Sequence, residues 1–130
     1  MEVLSILHLE EHSTLEPLDM RRVEKPWGYE LIWAETDNYV GKILHINKGH
    51  KLSRQFHNHK EETFLIQSGE MTLEVGRDEN MIPINMRIGD TFHCLPGTIH
   101  RMVAVSDVDV IEVSTPQLDD VVRIEDDYGR

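Results

Sequence analysis

Four residues able to bind a metal ion fall in two short stretches of the chain. Gln55-Phe56-His57-Asn58-His59-Lys60-Glu61-Glu62 carries two histidines two positions apart. In an extended strand both imidazoles, and Gln55 before them, point to one face. Glu62 follows the irregular Lys60-Glu61 step, so parity alone does not assign its face. A second stretch, Gly89-Asp90 … Leu95-Pro96-Gly97-Thr98-Ile99-His100, supplies a further histidine at the start of another strand. Three imidazoles (His57, His59, His100) and one carboxylate (Glu62) suit one divalent ion of the Zn, Mn, Ni, Co or Fe group. A His-x-His pair alone is as readily two exposed histidines on a strand. The second stretch turns the pair into a predicted site.

Charge says what such a site could hold. The chain has 13 Lys and Arg against 24 Asp and Glu, a net charge of −11, which argues against nucleic acid and anionic membrane surfaces as partners. Residues 41–60 run the other way, with Lys42, Lys48, Lys51, Arg54, Lys60 and four histidines but no acid. That distribution favours an anionic small molecule near the metal, although solubilising loop cations would read the same way. No apolar run approaches the ~20 residues of a membrane span. The acidic start lacks the basic residues of a signal peptide. With Cys94 as the single cysteine, the expectation is a cytoplasmic protein.

The elements that must position these residues are strands. At 130 residues one domain is expected. Short strand-like runs separated by turn residues occupy 25–33 (a turn leading into an aromatic-rich strand), 39–46, the His57 stretch, 63–67, 71–75, 81–88, 91–95, 99–105 and 108–114. Pro83 places the 81–88 run at a sheet edge. No sustained helical period occurs before residue 115. The pattern predicts an all-β barrel or sandwich over 25–117, an N-terminal extension or arm over 1–24, and a charged tail over 118–130 that packs on the barrel through Val121, Val122, Ile124 and Tyr128. Trp27 and Trp33 are expected to be core anchors.

The two metal-binding stretches resemble the paired motifs of the cupin superfamily. Gly49, His57, His59, Glu62 and Gly69 match the first motif; Gly89, Gly97 and His100 match the second. Leu95 stands at the usual proline, with Pro96 beside it, Ala104 stands at the usual asparagine, and His59 and Glu62 are one residue closer than is common. Within cupins, Lys25-Pro-Trp-Gly28, Tyr39-Val-Gly-Lys42, Leu52-Ser-Arg-Gln-Phe-His57, Ile111-Glu-Val113 and the ending 119–130 resemble the cupin domain of type II mannose-6-phosphate isomerases, which is the C-terminal part of isomerase/guanylyltransferases. The likeness covers residues 22–130. No Gly-rich phosphate loop accompanies it, and 130 residues leave no room for a nucleotide-binding half.

The resemblance implies a single-domain double-stranded β-helix, one divalent metal ion, a sugar-phosphate substrate and a homodimer. Aldose–ketose isomerisation needs a base to carry a carbon-bound proton and a cation to stabilise the enediolate. Gln55 matches the family's Gln-x-His pattern as a further ligand or substrate contact. Lys42 and Arg123 match its strand lysine and tail arginine, candidates for phosphate or enediolate contact; a salt bridge from Arg123 to Asp120 or Glu125 is the alternative. Glu112, alternating with Ile111 and Val113, is the candidate base, with His93 and His45 as rivals. Two other functions remain open: an Fe(II)-dependent oxygenase on the same ligands, and a non-catalytic sugar- or metal-binding cupin.

Overall fold

The computed structural model describes residues 15–117 and 119–130. Eleven strands follow in order: β1 (Arg21–Lys25), β2 (Gly28–Glu35), β3 (Val40–Ile46), β4 (Arg54–Phe56), β5 (Glu62–Ser68), β6 (Glu70–Gly76), β7 (Ile82–Arg87), β8 (Thr91–Cys94), β9 (Ile99–Ala104), β10 (Val108–Ser114) and β11 (Val122–Glu125). They form a six-stranded sheet, β1-β2-β3-β10-β5-β8, and a five-stranded sheet, β11-β4-β9-β6-β7. Every pairing is antiparallel. This is the expected all-β double-stranded β-helix.

The alternation along each strand explains both the core and the cavity. Leu44 and Ile46 of β3, Phe64 and Ile66 of β5, Met71 and Leu73 of β6, Met102 and Ala104 of β9, and Val108 and Val110 of β10 point inward and form one apolar cluster. Each such side chain contributes about 1.5–3 kcal/mol when fully buried. On β3, β5, β9 and β10 the inward parity then continues into polar residues: Lys42, Glu62, His100 and Glu112, all buried. Glu112 lies opposite Lys42 in register, and Gln55 lies opposite His100. One end of the barrel is thus an apolar plug and the other a polar cavity.

Several sequence expectations are confirmed locally and others are corrected. β7 with its Pro83 does lie at an edge, paired only to β6. Arg21–Lys25, read as the end of an arm, form edge strand β1 on β2; residues 1–14 lie outside the described residues. The tail contributes β11, which pairs with β4. Trp27 is in the core, but Trp33 is 45% exposed and lies over Gly41, where a Cβ would come within 2.6 Å of its ring. Glu30 and Ile32 of β2 are buried, so the alternation along the strand turns Trp33 to the outer face. Among the described residues no helix is long and apolar enough to cross a membrane.

Candidate metal centre

β4 ends at Phe56, and residues 57–61 turn before β5 begins at Glu62. The expectation that His57 and His59 share a strand face is therefore corrected, because the strand is over before either histidine. His57 turns inward and is buried, His59 is exposed, and Lys60 turns inward again to only 5% exposure. The ligating atoms of His57, Glu62 and His100 all lie within 4.8 Å of one another. His59 is not among them.

Three local features build this cluster. Gly97, at φ +81°, lets the turn before β9 fold close enough for its N–H to donate to the His57 carbonyl at 2.8 Å. That bond joins the two sequence stretches directly. His57 Nδ1 donates to the carbonyl of Asp120 at 2.5 Å, and His100 Nδ1 donates to the Thr98 carbonyl at 3.0 Å. With both Nδ1–H groups engaged, each ring turns its Nε2 to Glu62 Oε2, at 3.0 Å from His57 and 3.1 Å from His100.

The donor set fits a divalent cation. Two imidazole nitrogens and a carboxylate oxygen about 3 Å apart match ligands that each stand roughly 2.0–2.2 Å from a shared ion. Glu62 Oε1 is buried and has no hydrogen-bond partner among the described residues by strict geometry, while Lys60 Nζ forms an ion pair with it at 3.1 Å. Burial alone would lower His100, but its contacts with Cys94 and Glu62 outweigh that and raise it to about 10. His57 is raised in the same way, its burial overcome by Glu62 and the Asp120 carbonyl. Burial opposes ionisation of Glu62, yet His100, His57 and Lys60 hold its carboxyl well below the usual range.

Glu112 behaves differently. Burial, reinforced by the Glu62 charge, pushes it up to about 7 despite Lys60 and Lys42 nearby. Lys60 Nζ stands between the carboxylates, 3.1 Å from Glu62 and 3.5 Å from Glu112. Burial would discharge it, but those two carboxylates more than compensate and raise it.

His57, Lys60 and Glu112 line a cavity of about 240 Å³, smaller than the ~300–1,000 Å³ of pockets for drug-sized ligands. Arg21, Lys25, Lys42, Lys60, Arg123 and Arg130 line it, against Glu30, Glu112 and Asp119. Six cations to three acids is the reverse of the balance in the whole chain. Lys42 is paired with Glu30 at 3.4 Å, Arg21 with Glu35 at 2.9 Å and Arg130 with Asp126 at 3.2 Å. Arg123 and Lys25 have no ion-pair partner among the described residues. The alternative partners for Arg123 are engaged elsewhere: Asp120 by backbone amides, Glu125 by Arg54 and Arg101.

The structure thus gathers Gln55, His57, Lys42, Glu112 and Arg123 around one cavity, with Glu62 and His100 completing the cluster at His57. The rival bases stand outside it: His45 is bonded to Asp109 at 2.6 Å, and His93 contacts Glu61 at the surface. The sequence reading gave no site role to Arg21, Lys25, Asp120 or Arg130, and counted Lys60 only as one cation of the basic 41–60 run. Lys60 had a signal in its place beside Glu62, but the orientation of a turn residue cannot be read from strand parity.

Residues 12–126 match the family model for the mannose-6-phosphate isomerase C-terminal domain. A mannose-1-phosphate guanylyltransferase of Escherichia coli is 37% identical over 120 residues, which are 85% of this chain and 23% of that protein. The xanthan biosynthesis protein XanB of Xanthomonas campestris is 33% identical over 116 residues, 85% of this chain and 24% of its own. The chain therefore spans about a quarter of the length of these relatives. Among solved structures, KdgF from a Halomonas species superposes with a TM-score of 0.67 at 23% identity, covering 78% of this chain and 91% of KdgF. An RmlC-like cupin from Shewanella frigidimarina gives 0.65 at 16% identity over 75% and 84%. Those likenesses carry the fold, and the family match carries the lineage: this chain is a cupin domain of the mannose-6-phosphate isomerase C-terminal family.

Proposed function

We propose that this domain is a metal-dependent sugar-phosphate isomerase acting by aldose–ketose proton transfer, similar to mannose-6-phosphate isomerase. The observation that supports it best is the pairing, in one small cavity, of the His57–Glu62–His100 cluster with a cation-rich lining. His57, Glu62 and His100 would hold the ion, with Gln55 beside them. When bound, the ion supplies Lewis-acid polarisation of the sugar oxygens.

The residues of the chain divide the remaining work. Glu112, raised to about 7, is matched to neutral pH: it removes a proton from one carbon and returns it to the neighbour. Lys60, a buried ammonium 3.5 Å from Glu112, meets the negative charge that develops on the substrate oxygens. Arg123 has no ion-pair partner among the described residues and its planar fork suits a phosphate, while Lys42, fixed by Glu30, presents a second cation deeper in the barrel.

Turnover of a panel of hexose and pentose phosphates with defined added metals tests the proposal. Interconversion of an aldose and a ketose phosphate is the expected result; ligand binding without any turnover would leave a sugar-binding cupin instead. Arg123→Ala should weaken phosphorylated ligands by roughly 10-fold or more, the ~1.5–3 kcal/mol of a charged hydrogen bond, and leave their neutral sugars unchanged. Equal effects on both would remove its phosphate role. The same two-His, one-carboxylate set also suits non-haem Fe(II), so an oxygenase is the second reading. Iron in the natively purified protein would favour it over the isomerase.

A further inference from the structure

We propose that Asp120 is a positioning residue for the metal centre: its carboxylate fastens the turn that carries His57, and its main-chain carbonyl sets the ring. The inference rests on the metal reading above. Asp120 lies 63 residues from His57 in sequence, on the segment leading into β11. One carboxylate oxygen accepts the N–H of Asn58 at 3.0 Å; the other accepts those of His59 at 2.6 Å and Lys60 at 2.9 Å.

Three consecutive amides aimed at one point form the concave nest that proteins use to hold anions. Here the anion comes from the chain itself. Gathering the 58–60 amides on the Asp120 side accompanies the arrangement seen in the turn, with the His59 side chain outward and Lys60 inward beside Glu62.

The carbonyl of the same residue acts on the ligand itself. Accepting the Nδ1–H of His57 at 2.5 Å fixes the tautomer that leaves Nε2 for the ion, which is how outer partners orient metal-binding histidines. The side chain thus sets where the ligand turn sits, and the main chain sets which way its imidazole faces. β11 docks on β4 through its own ladder, so the carboxylate is not needed to hold the tail in place. Its specific contribution is the geometry of the turn.

Cobalt(II) titration of the full chain, followed by ligand-field absorption, tests this with wild type, Asp120→Asn and Asp120→Ala. Urea unfolding of the metal-free proteins is measured in parallel. Asp120→Ala is expected to weaken cobalt roughly 10–100-fold, the usual cost of losing an outer partner, and to alter the absorption bands. Asp120→Asn should fall between, since its amide oxygen can still accept two of the three N–H groups while its NH₂ opposes the third. If Asp120→Ala does not fold, the weakening in Asp120→Asn decides the matter. Lower urea stability with unchanged cobalt affinity and spectrum would reduce Asp120 to a structural residue and overturn the proposal. Absence of cobalt binding by wild type would overturn the metal reading itself, and this inference with it.

Discussion

His57→Ala is expected to leave a folded protein without stoichiometric metal. His57 lies in a turn outside the apolar cluster, so its removal opens no cavity in the core. It does remove one of three converging ligands and the bonds to Glu62 and the Asp120 carbonyl. Loss of affinity should exceed the roughly 10–100-fold that follows loss of an outer partner. Elemental analysis and calorimetric titration would show it, and full occupancy in the variant would refute the cluster as the site. The remaining carboxylate is not orphaned, because Lys60 and His100 still face Glu62. Folding should therefore persist while metal binding fails.

Removal of residues 119–130 is expected to have the largest effect on both stability and binding. The side chain of Arg101 is only 3% exposed and is neutralised by Asp127 at 2.9 Å and Glu125 at 3.5 Å. Stripping a buried charge of its partners costs about 3–5 kcal/mol, although the Leu52 carbonyl would still accept from Arg101 at 2.8 Å. Tyr128 would also leave the core and its bond to His50 at 2.9 Å, and β4 would lose β11. The cavity would lose Asp119, Val121, Arg123 and Arg130 together. Urea unfolding and phosphate-ligand titration should both report large losses. Unchanged ligand affinity would show that the tail has no part in the site.

Acid should loosen the tail in a defined direction. Lys51, and then Arg101, hold the Asp127 carboxyl below the usual range, and Arg130 does the same for Asp126. A carboxyl that is more acidic folded than unfolded stabilises the fold above its unfolded value. Attachment of the tail should be complete above about pH 4 and decline as pH falls through the lowered values. Tail-specific proteolysis that rises between neutral pH and that window would show it; constant protection down to acid unfolding would contradict it.

What the sequence made legible was whatever depends on local alternation. The strands and the inward face of Glu112 follow from a period of two, and the edge position of the Pro83 run follows from the missing N–H of proline. His100 was readable because a Pro-Gly turn precedes its strand. The turn at 57–61 was not readable, since parity stops at Phe56, and so His59 was placed with His57 while Lys60 was counted only as one cation of the basic run. Trp33 was misplaced against that same rule, since with Glu30 and Ile32 inward the alternation turns it outward. Asp120 was beyond reach of any local pattern, because nothing near residue 120 announces amides 60 residues away. The cation lining was half visible, in Lys42, Lys60 and Arg123. Its other members, Arg21, Lys25 and Arg130, come from opposite ends of the chain.

The bonding of the His57 turn to Asp120 makes the candidate centre a long-range loop closure. The strands of the apolar cluster all lie before residue 115, but the amides of residues 58–60 find their acceptor at residue 120. Closing so long a loop costs chain entropy that contacts local to the turn cannot offset, so it waits on the docking of β11 against β4. An ion held by His57 would therefore report on the docking of the tail as well as on the formation of the barrel.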